Sequence, residues 1–190
     1  CAALPAVCHH LHLPVQSGSD RVLARMRRGY SRTDYLDAVH RLRTAMPDFA
    51  LTTDVIVGFP GETADDFEAT RTLMKEADFD NAFIFKYSPR PGTPAAAWED
   101  DVSETEKMRR NQVLLEDQDL RGAAANSRLV GTLQEVLVEG PSLRNAARWS
   151  GRSPGNKIVI FEPLPEIAAG TLTRVRITRA APQTLYGDVV

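Results

Sequence analysis

The sequence predicts an α/β fold followed by a small β-barrel or sandwich, and a change in its hydrophobic pattern supports this prediction. In residues 1–125, apolar strand patterns alternate with amphipathic helical patterns. In residues 126–190, short patterns with a period of two are separated by glycine-bearing turns. The first arrangement is typical of βαβ units with a parallel sheet, and the second is typical of barrels and sandwiches. We therefore predict two domains that meet between residues 125 and 126.

The α/β part contains three predicted strands and three longer helices. Each of these helices opens with a capping box, in which two side chains three positions apart bind free backbone N–H groups. The three pairs are Ser31 with Asp34, Thr63 with Asp66, and Ser103 with Glu106. The last helix is predicted to run to about Gly122 and to connect the domains. The predicted strands are residues 10–15 (HLHLPV), 49–57 (FALTTDVIV) and 82–87 (AFIFKY).

The second part contains three predicted strands, at residues 132–140, 157–162 and 171–178. It carries eight Lys/Arg and five Asp/Glu, whereas residues 1–125 carry fifteen and twenty. A modest basic excess permits a nucleic-acid contact but does not require one.

Composition excludes several classes of protein. No apolar run approaches the roughly 18 residues of a membrane span, so no membrane partner is expected. Cys1 and Cys8 are too few for a disulfide framework, and their spacing matches no common metal motif. The four histidines have no carboxylate or further cysteine at ligand spacing, so no metal site is predicted. We expect a cytoplasmic protein, and the start at Cys1 within a structured-looking segment suggests a piece of a longer chain.

A polar, glycine-containing corner follows each α/β strand. The corners are QSGSD (16–20), GFPGET (58–63) and SPRPGT (88–93). In a parallel sheet all three lie at the carboxyl edge, where ligands bind in barrel and doubly wound folds. One such corner is ordinary turn chemistry, but three in succession favour a ligand-binding face. The sequence lacks a phosphate loop, a nucleophile elbow and a dinucleotide motif, so we predict no catalytic side chain. We expect the chemistry to come from a cofactor or from residues absent from this sequence.

Three long segments carry a family resemblance: LHLPVQSGSDRVLARMRRGYSRTDY, TTDVIVGFPGETADDFEAT and FIFKYSPRPGTPAA. With VLVEGPS and GRSPGNKIVIF further on, they resemble the tRNA methylthiotransferases of the radical-SAM superfamily over essentially the whole chain. The resemblance is greatest to the branch that makes 2-methylthio-isopentenyladenosine. The glutamine in LPVQSGSD favours a tRNA substrate over a ribosomal protein, and MRRGYSR favours isopentenyladenosine over threonylcarbamoyladenosine.

The resemblance implies an architecture and a set of cofactors. It implies the last strands and helices of a partial TIM-type radical-SAM barrel, followed by a small antiparallel, OB-like β-barrel called TRAM. The cofactors would be S-adenosylmethionine and two 4Fe-4S clusters. The family's Cys-x-x-x-Cys-x-x-Cys motif has no counterpart in this sequence, so the chain alone is expected to be inactive.

The resemblance also implies which residues contact S-adenosylmethionine. The segment from Asp54 to Gly58 resembles the superfamily's adenine-contacting strand, although its closing acid falls at Glu62, one position late. The predicted cofactor-binding residues are Gln16, Ser17, Gly18, Asp54, Ile56, Gly58, Tyr87, Ser88 and Arg90.

The implied macromolecular partner is the anticodon stem-loop of tRNA, with sulfur-donor or electron-donor proteins as further partners and a monomer as the expected state. Arg27 and Arg28 could meet RNA phosphates or be plain solvated charge. Trp149 could stack on a base or belong to a core. The predicted RNA-binding residues are Arg144, Arg148, Arg152, Asn156, Lys157, Arg174 and Arg176, the last two projecting opposite Val175 and Ile177.

Two alternative functions remain open from the sequence. The chain could be a stand-alone RNA-binding module with a vestigial half barrel. It could also belong to another methylthiotransferase branch, with threonylcarbamoyladenosine or a ribosomal protein as substrate.

Overall fold

A computed structural model describes Leu4 and residues 7–190 of the chain. Cys1 lies outside the described residues, and Cys8 is a free, exposed thiol. The chain divides into two compact units, and each is described by itself. One is Leu11–Gln118, and the other contains Asp119–Val190 with the described N-terminal residues through His10. Within the part of the chain that the structure covers, we find no helix with the length and apolarity of a membrane span.

The first unit is built on a three-stranded sheet of order β1-β2-β3, with β2 and β3 parallel. This confirms the predicted α/β class with parallel strands. The strands are β1 (His10–His12), β2 (Ala50–Val57) and β3 (Asn81–Lys86). The helices are α1 (Asp20–Arg25), α2 (Arg32–Ala45), α3 (Ala64–Ala77), a 3₁₀ helix (Pro94–Ala97) and α4 (Glu104–Ser127).

Two of the three predicted capping boxes are confirmed in full. The hydroxyls of Ser31 and Thr63 accept the N–H groups of Asp34 and Asp66, whose carboxylates bind the N-cap backbone in return. The third box is half formed. Ser103 Oγ accepts the Glu106 N–H at 3.2 Å. The Glu106 carboxylate instead accepts from two arginines of its own helix.

The predicted end of α4 at Gly122 was wrong, since the helix continues to Ser127. A Cβ at Gly122 would lie 2.5 Å from the carbonyl oxygen of Pro182. This glycine therefore permits a close approach of backbone inside the helix, and the alanines that follow it continue the helix because alanine is the strongest helix former.

The first strand is shorter than predicted, with a ladder limited to His10–His12. Pro14 has no N–H to donate to the ladder. The N–H of Val15 binds the side-chain hydroxyl of Thr53 at 2.9 Å rather than a backbone carbonyl. Backbone pairing with β2 resumes at Gln16, which forms an isolated parallel bridge with Val55.

The core of this unit lies between the sheet and its helices. Its fully buried members come from the sheet and its flanking segments, from α3 and from the middle of α4. They include Val15, Leu51, Val55, Leu73 and Leu114, each with no exposed surface.

The second unit contains a closed five-stranded barrel of order β4-β5-β6-β8-β7. The prediction of a small β-domain is confirmed, but two of its strands were missed. The barrel was predicted to be antiparallel, and four of its strand pairings are, but β6 pairs with β8 in parallel. The strands are β4 (Leu133–Ser142), β5 (Asn145–Arg152), β6 (Ile158–Phe161), β7 (Leu172–Ala181) and β8 (Thr184–Val189).

Alternate residues of these strands fill the barrel. Val175 and Ile177 are buried while Arg174 and Arg176 are exposed, as the period-two pattern predicted. Trp149 packs against the barrel core, which supports its interpretation as a core residue rather than as a base-stacking residue. The buried core residues of the barrel are Val136, Val138, Val159, Phe161, Val175, Ile177 and Leu185.

Candidate cofactor cavity and nucleic-acid interface

A cavity of about 610 Å³ opens at the carboxyl edge of the three-stranded sheet. Its wall combines the ends of β2 and β3 with side chains from α1 and from the 3₁₀ helix. Arg27 and Arg28, just after α1, are exposed and also border it. Six of the nine predicted cofactor-binding residues line this cavity: Gln16, Asp54, Ile56, Tyr87, Ser88 and Arg90.

Gln16 holds an unusual backbone conformation at this cavity. Its φ of 69° lies in the left-handed region, which residues with a side chain rarely adopt. Its N–H donates to Asp54 O at 2.8 Å, and its carbonyl accepts from Ile56 N at 2.9 Å. These two bonds to β2 offset the strain and hold the Gln16 side chain at the cavity wall.

Ser17, Gly18 and Gly58 do not line the cavity. The Gly18 N–H donates to Thr70 Oγ1 at 2.9 Å, and the Ser17 hydroxyl lies 3.2 Å from the same oxygen. A Cβ at Gly18 would lie 2.5 Å from backbone atoms of Ala69 and Thr70, so the first corner packs directly on α3. Ser17 and Gly18 thus hold the first corner against α3, and Gln16 of the same corner faces the cavity.

Gly58 occupies the second corner with φ +71°. A Cβ there would lie 2.3 Å from Cγ of Lys107, whose side chain is almost completely buried. The Lys107 ammonium reaches Asp100 Oδ2 at 2.5 Å. Only glycine leaves room for this lysine stem beneath the corner.

An aromatic wall of the cavity was missed by sequence reasoning. Phe59 packs edge-to-face on Tyr87 and Trp98, with ring centroids 5.1 and 5.9 Å apart. The Arg25 guanidinium lies 4.7 Å from the Trp98 ring centre. The Tyr87 hydroxyl donates to Ala95 O at 3.0 Å and ties β3 to the 3₁₀ helix. No periodicity marks Phe59 and Trp98, because both lie in loops.

A buried ion pair lies behind the second corner. The Glu62 carboxylate accepts from the Gly58 N–H at 2.5 Å and from Arg110 Nη1 at 2.6 Å. The side chains of Glu62 and Arg110 are 0% and 6% exposed. Burial raises the pKa of Glu62, while the Gly58 N–H and Arg110 oppose that rise. Glu62 thus lies behind the cavity wall as an anchor of the corner.

The barrel carries a second cavity, of about 870 Å³, on the outer face of β5, β6 and β8. We call it the outer groove. Among the predicted RNA-binding residues, it is lined by Arg144, Arg148 and Arg152. Asn156 and Lys157 are outside its lining, although the Asn156 carbonyl accepts from Arg152 Nη1 at 3.2 Å.

Arg174 and Arg176 do not line the outer groove either. Their register places Arg174 opposite Glu135 on β4 and Arg176 opposite Asp188 on β8. Each of these arginines thus has an acidic neighbour, as do Arg148 and Arg152 in the outer groove.

The outer groove also contains residues that the sequence did not single out. Arg179 lies over the Tyr186 ring, with its guanidinium carbon 3.6 Å from the ring centre. Ile158 and Ile160 form an apolar floor beside them. Arg179 was overlooked because the predicted strand stopped at residue 178, one position before it.

Two family models match the chain. The radical-SAM superfamily model matches residues 2–74, and the TRAM domain model matches residues 127–190. The fold also resembles a solved radical-SAM enzyme, coproporphyrinogen III oxidase from Escherichia coli, with a TM-score of 0.52 at 16% identity. That likeness covers 77% of this chain and 41% of the oxidase, and it concerns the fold alone. The two family-model matches indicate a radical-SAM segment followed by a TRAM domain.

Curated relatives indicate which radical-SAM proteins the chain is similar to. The chain is 51% identical over 184 residues to a tRNA-2-methylthio-N(6)-dimethylallyladenosine synthase from Akkermansia muciniphila. It is 47% identical over 189 residues to the synthase of that name from Chromobacterium violaceum. These matches cover 97% and 100% of this chain but 40% and 42% of the relatives, so the chain spans about two fifths of their length. Over nearly its whole length, the chain is therefore similar to one part of these synthases.

Proposed function

We propose that this chain is the cofactor-facing and RNA-binding part of an enzyme that adds a methylthio group to N6-dimethylallyladenosine beside the tRNA anticodon. One observation carries the proposal. Identity of 47–51% to synthases named for this product extends over nearly the whole chain, from the cavity to the barrel. The cavity lies at the sheet edge where α/β folds bind their ligands.

The cavity suits S-adenosylmethionine in size and chemistry. Ligand sites of about 300–1,000 Å³ with apolar walls and a few polar groups are typical for small molecules. Ile56 and Tyr87 would border the adenine, and Gln16, Asp54, Ser88 and Arg90 would supply polar contacts. S-adenosylmethionine bound there would supply the radical and methyl chemistry, and the residues of this chain would position it and exclude water. Ser17, Gly18 and Gly58 would act through the shape of their corners.

The residues of this chain do not fit an iron–sulfur cluster. Such clusters are held by several cysteine thiolates, and the sequence has only Cys1 and Cys8. Within residues 7–190, no three His, Cys, Asp or Glu side chains come together as metal ligands. We infer that the ligands of the two 4Fe-4S clusters come from outside these 190 residues, and that this sheet is the last part of a radical-SAM barrel.

The barrel is the proposed tRNA-binding domain, with its boundary at residues 125 and 126 and an OB-like form. Arg144, Arg148 and Arg152 would contact phosphates in the outer groove, where positive charge fixes an RNA without reading its sequence. Asn156, Lys157, Arg174 and Arg176 would extend this surface around the barrel. The anticodon stem-loop is the proposed target, with a sulfur or electron donor as a further partner and a monomer as the working state.

The relatives weigh against the other functions. A stand-alone RNA-binding module would not be expected to retain Gln16 in a strained conformation at a cavity. The branches that act on threonylcarbamoyladenosine or a ribosomal protein are disfavoured, because these relatives are named for the dimethylallyladenosine product.

Phosphate binding by the groove arginines predicts a defined salt effect. Titration of the chain with an anticodon stem-loop RNA should show an affinity that falls as salt rises. Arg148→Ala/Arg152→Ala should weaken binding and reduce the slope of log K against log salt by about one unit per arginine. Arg41→Ala/Lys75→Ala removes the same charge from exposed positions on the other unit and should leave the slope unchanged. Equal slopes for the two double variants would contradict phosphate contact by the groove.

A further inference from the structure

The floor of the outer groove is a row of side chains in register across four strands. Ser150 of β5 pairs with Ile160 of β6, Ile160 with Tyr186 of β8, and Tyr186 with Arg179 of β7. Their neighbours along the strands, such as Val159 and Leu185, point into the barrel core. Side chains alternate across a strand, so this row lies on the outer surface.

The Arg179 guanidinium covers the Tyr186 ring at one end of this row. With 3.6 Å between the guanidinium carbon and the ring centre, the cation lies directly against the ring. Arg179 is exposed, and it makes no ion pair with a carboxylate among the residues that the structure covers. Its positive charge and planar group are therefore available to a ligand.

On the opposite side of the groove, two arginines form exposed ion pairs. Arg148 contacts Glu162 at 3.0 Å, and Arg152 contacts Glu139 at 3.4 Å. All four side chains are between 39% and 73% exposed. Exposed ion pairs contribute little to stability, so these arginines can exchange their carboxylates for phosphates at small cost.

We propose that the outer groove binds an unpaired nucleotide of RNA, whose base stacks at the Arg179–Tyr186 pair while its phosphates contact the arginines of β5. The inference rests on the proposed tRNA function and adds a base-binding position to it. Arginine planes and aromatic rings are the surfaces on which unpaired RNA bases stack. A base inside a duplex already has both faces stacked, so the groove should prefer loops over helices. An acidic peptide could pair with the arginines, but its carboxylates would not stack at the Arg179–Tyr186 pair.

The test is titration of the 190-residue chain with two RNAs of equal length, an anticodon stem-loop and a blunt duplex, at two salt concentrations. Wild type should prefer the stem-loop. Tyr186→Leu should lower affinity for the stem-loop by about 5- to 150-fold, the range found when one stacking ring is removed. Because stacking releases no counterions, the salt slope should stay at the wild-type value. Arg179→Lys, which keeps the charge without the plane, should also lose the stem-loop preference.

Tyr186→Phe is the matched control, since it keeps the ring and should bind almost like wild type. Melting curves of all variants identify any that fail to fold, and Arg179→Lys then remains as a test on an exposed position. If folded Tyr186→Leu binds the stem-loop like wild type, the base-binding inference fails while the tRNA function stands. If wild type binds neither RNA, both fail. If polyglutamate displaces the stem-loop equally well from wild type and Arg179→Lys, the groove is an acidic-partner site and the inference is overturned.

Discussion

Arg110→Met is expected to destabilise the α/β unit by about 3–5 kcal/mol, the usual effect of leaving one member of a buried ion pair without its partner. Glu62 has a fully buried carboxylate, and one of its oxygens, Oε1, already lacks a hydrogen-bond partner among the described residues. Without Arg110, the carboxylate would retain only the Gly58 N–H. The second corner, which carries Phe59 at the cavity wall, should loosen with it.

Two further variants separate the buried charge from other effects. Arg109→Met removes a neighbouring arginine that also binds Glu106, at 2.7 Å, but is 55% exposed, so it should have little effect. Glu62→Gln/Arg110→Met removes both buried charges and should recover much of the lost stability.

Urea unfolding followed by Trp98 fluorescence in a Trp149→Phe background measures the α/β unit, because the chain has only these two tryptophans. If Arg110→Met and Arg109→Met shift the midpoint equally, the ion pair does not anchor the corner.

Gly18→Ala is expected to destabilise the same unit by about 1–3 kcal/mol, the cost of inserting a methyl group into a packed interior. The new Cβ would lie 2.5 Å from the Ala69 carbonyl oxygen and from Thr70 Cα, which are backbone atoms of α3 and cannot rotate away. Relief of the clash would move the corner and stretch the 2.9 Å bond from Gly18 N to Thr70 Oγ1. Gln16, two residues earlier, would move from its place at the cavity.

Gly29→Ala is the control, because a Cβ at Gly29 meets nothing within 4 Å. The same urea unfolding should show a small shift for Gly29→Ala and a large one for Gly18→Ala. A Gly18→Ala variant as stable as wild type would mean that α3 adjusts freely, and that close packing at Gly18 does not set the position of the corner.

The parts of the fold that sequence reasoning predicted depend on local signals. The boxes at Ser31 and Thr63 were predictable because capping is decided within four residues. The buried positions of β7 were predictable because Val175 and Ile177 alternate with arginines. The three glycine corners predicted the cavity edge, since parallel strands end on the same side of a sheet.

The parts that sequence reasoning missed depend on contacts between distant residues. Gly122 was predicted to end the helix, but it lies inside the helix and packs against the carbonyl of Pro182, 60 residues later. Strand β5 was missed because NAARWSGR has few β-branched residues, and its pairing with β4 and β6 supplies the stability. The same holds for the site, where Phe59, Trp98 and Tyr186 gain their positions from partners elsewhere in the chain.

The most direct test of the central claim is nucleoside analysis of tRNA. The complete reading frame that encodes this chain would be expressed in a bacterial strain from which the methylthiotransferase gene has been deleted, and tRNA digests would be measured by mass spectrometry. The account predicts that N6-dimethylallyladenosine is converted to its 2-methylthio derivative. If N6-dimethylallyladenosine persists while the Chromobacterium violaceum synthase restores the modification in the same strain, the proposed function is wrong.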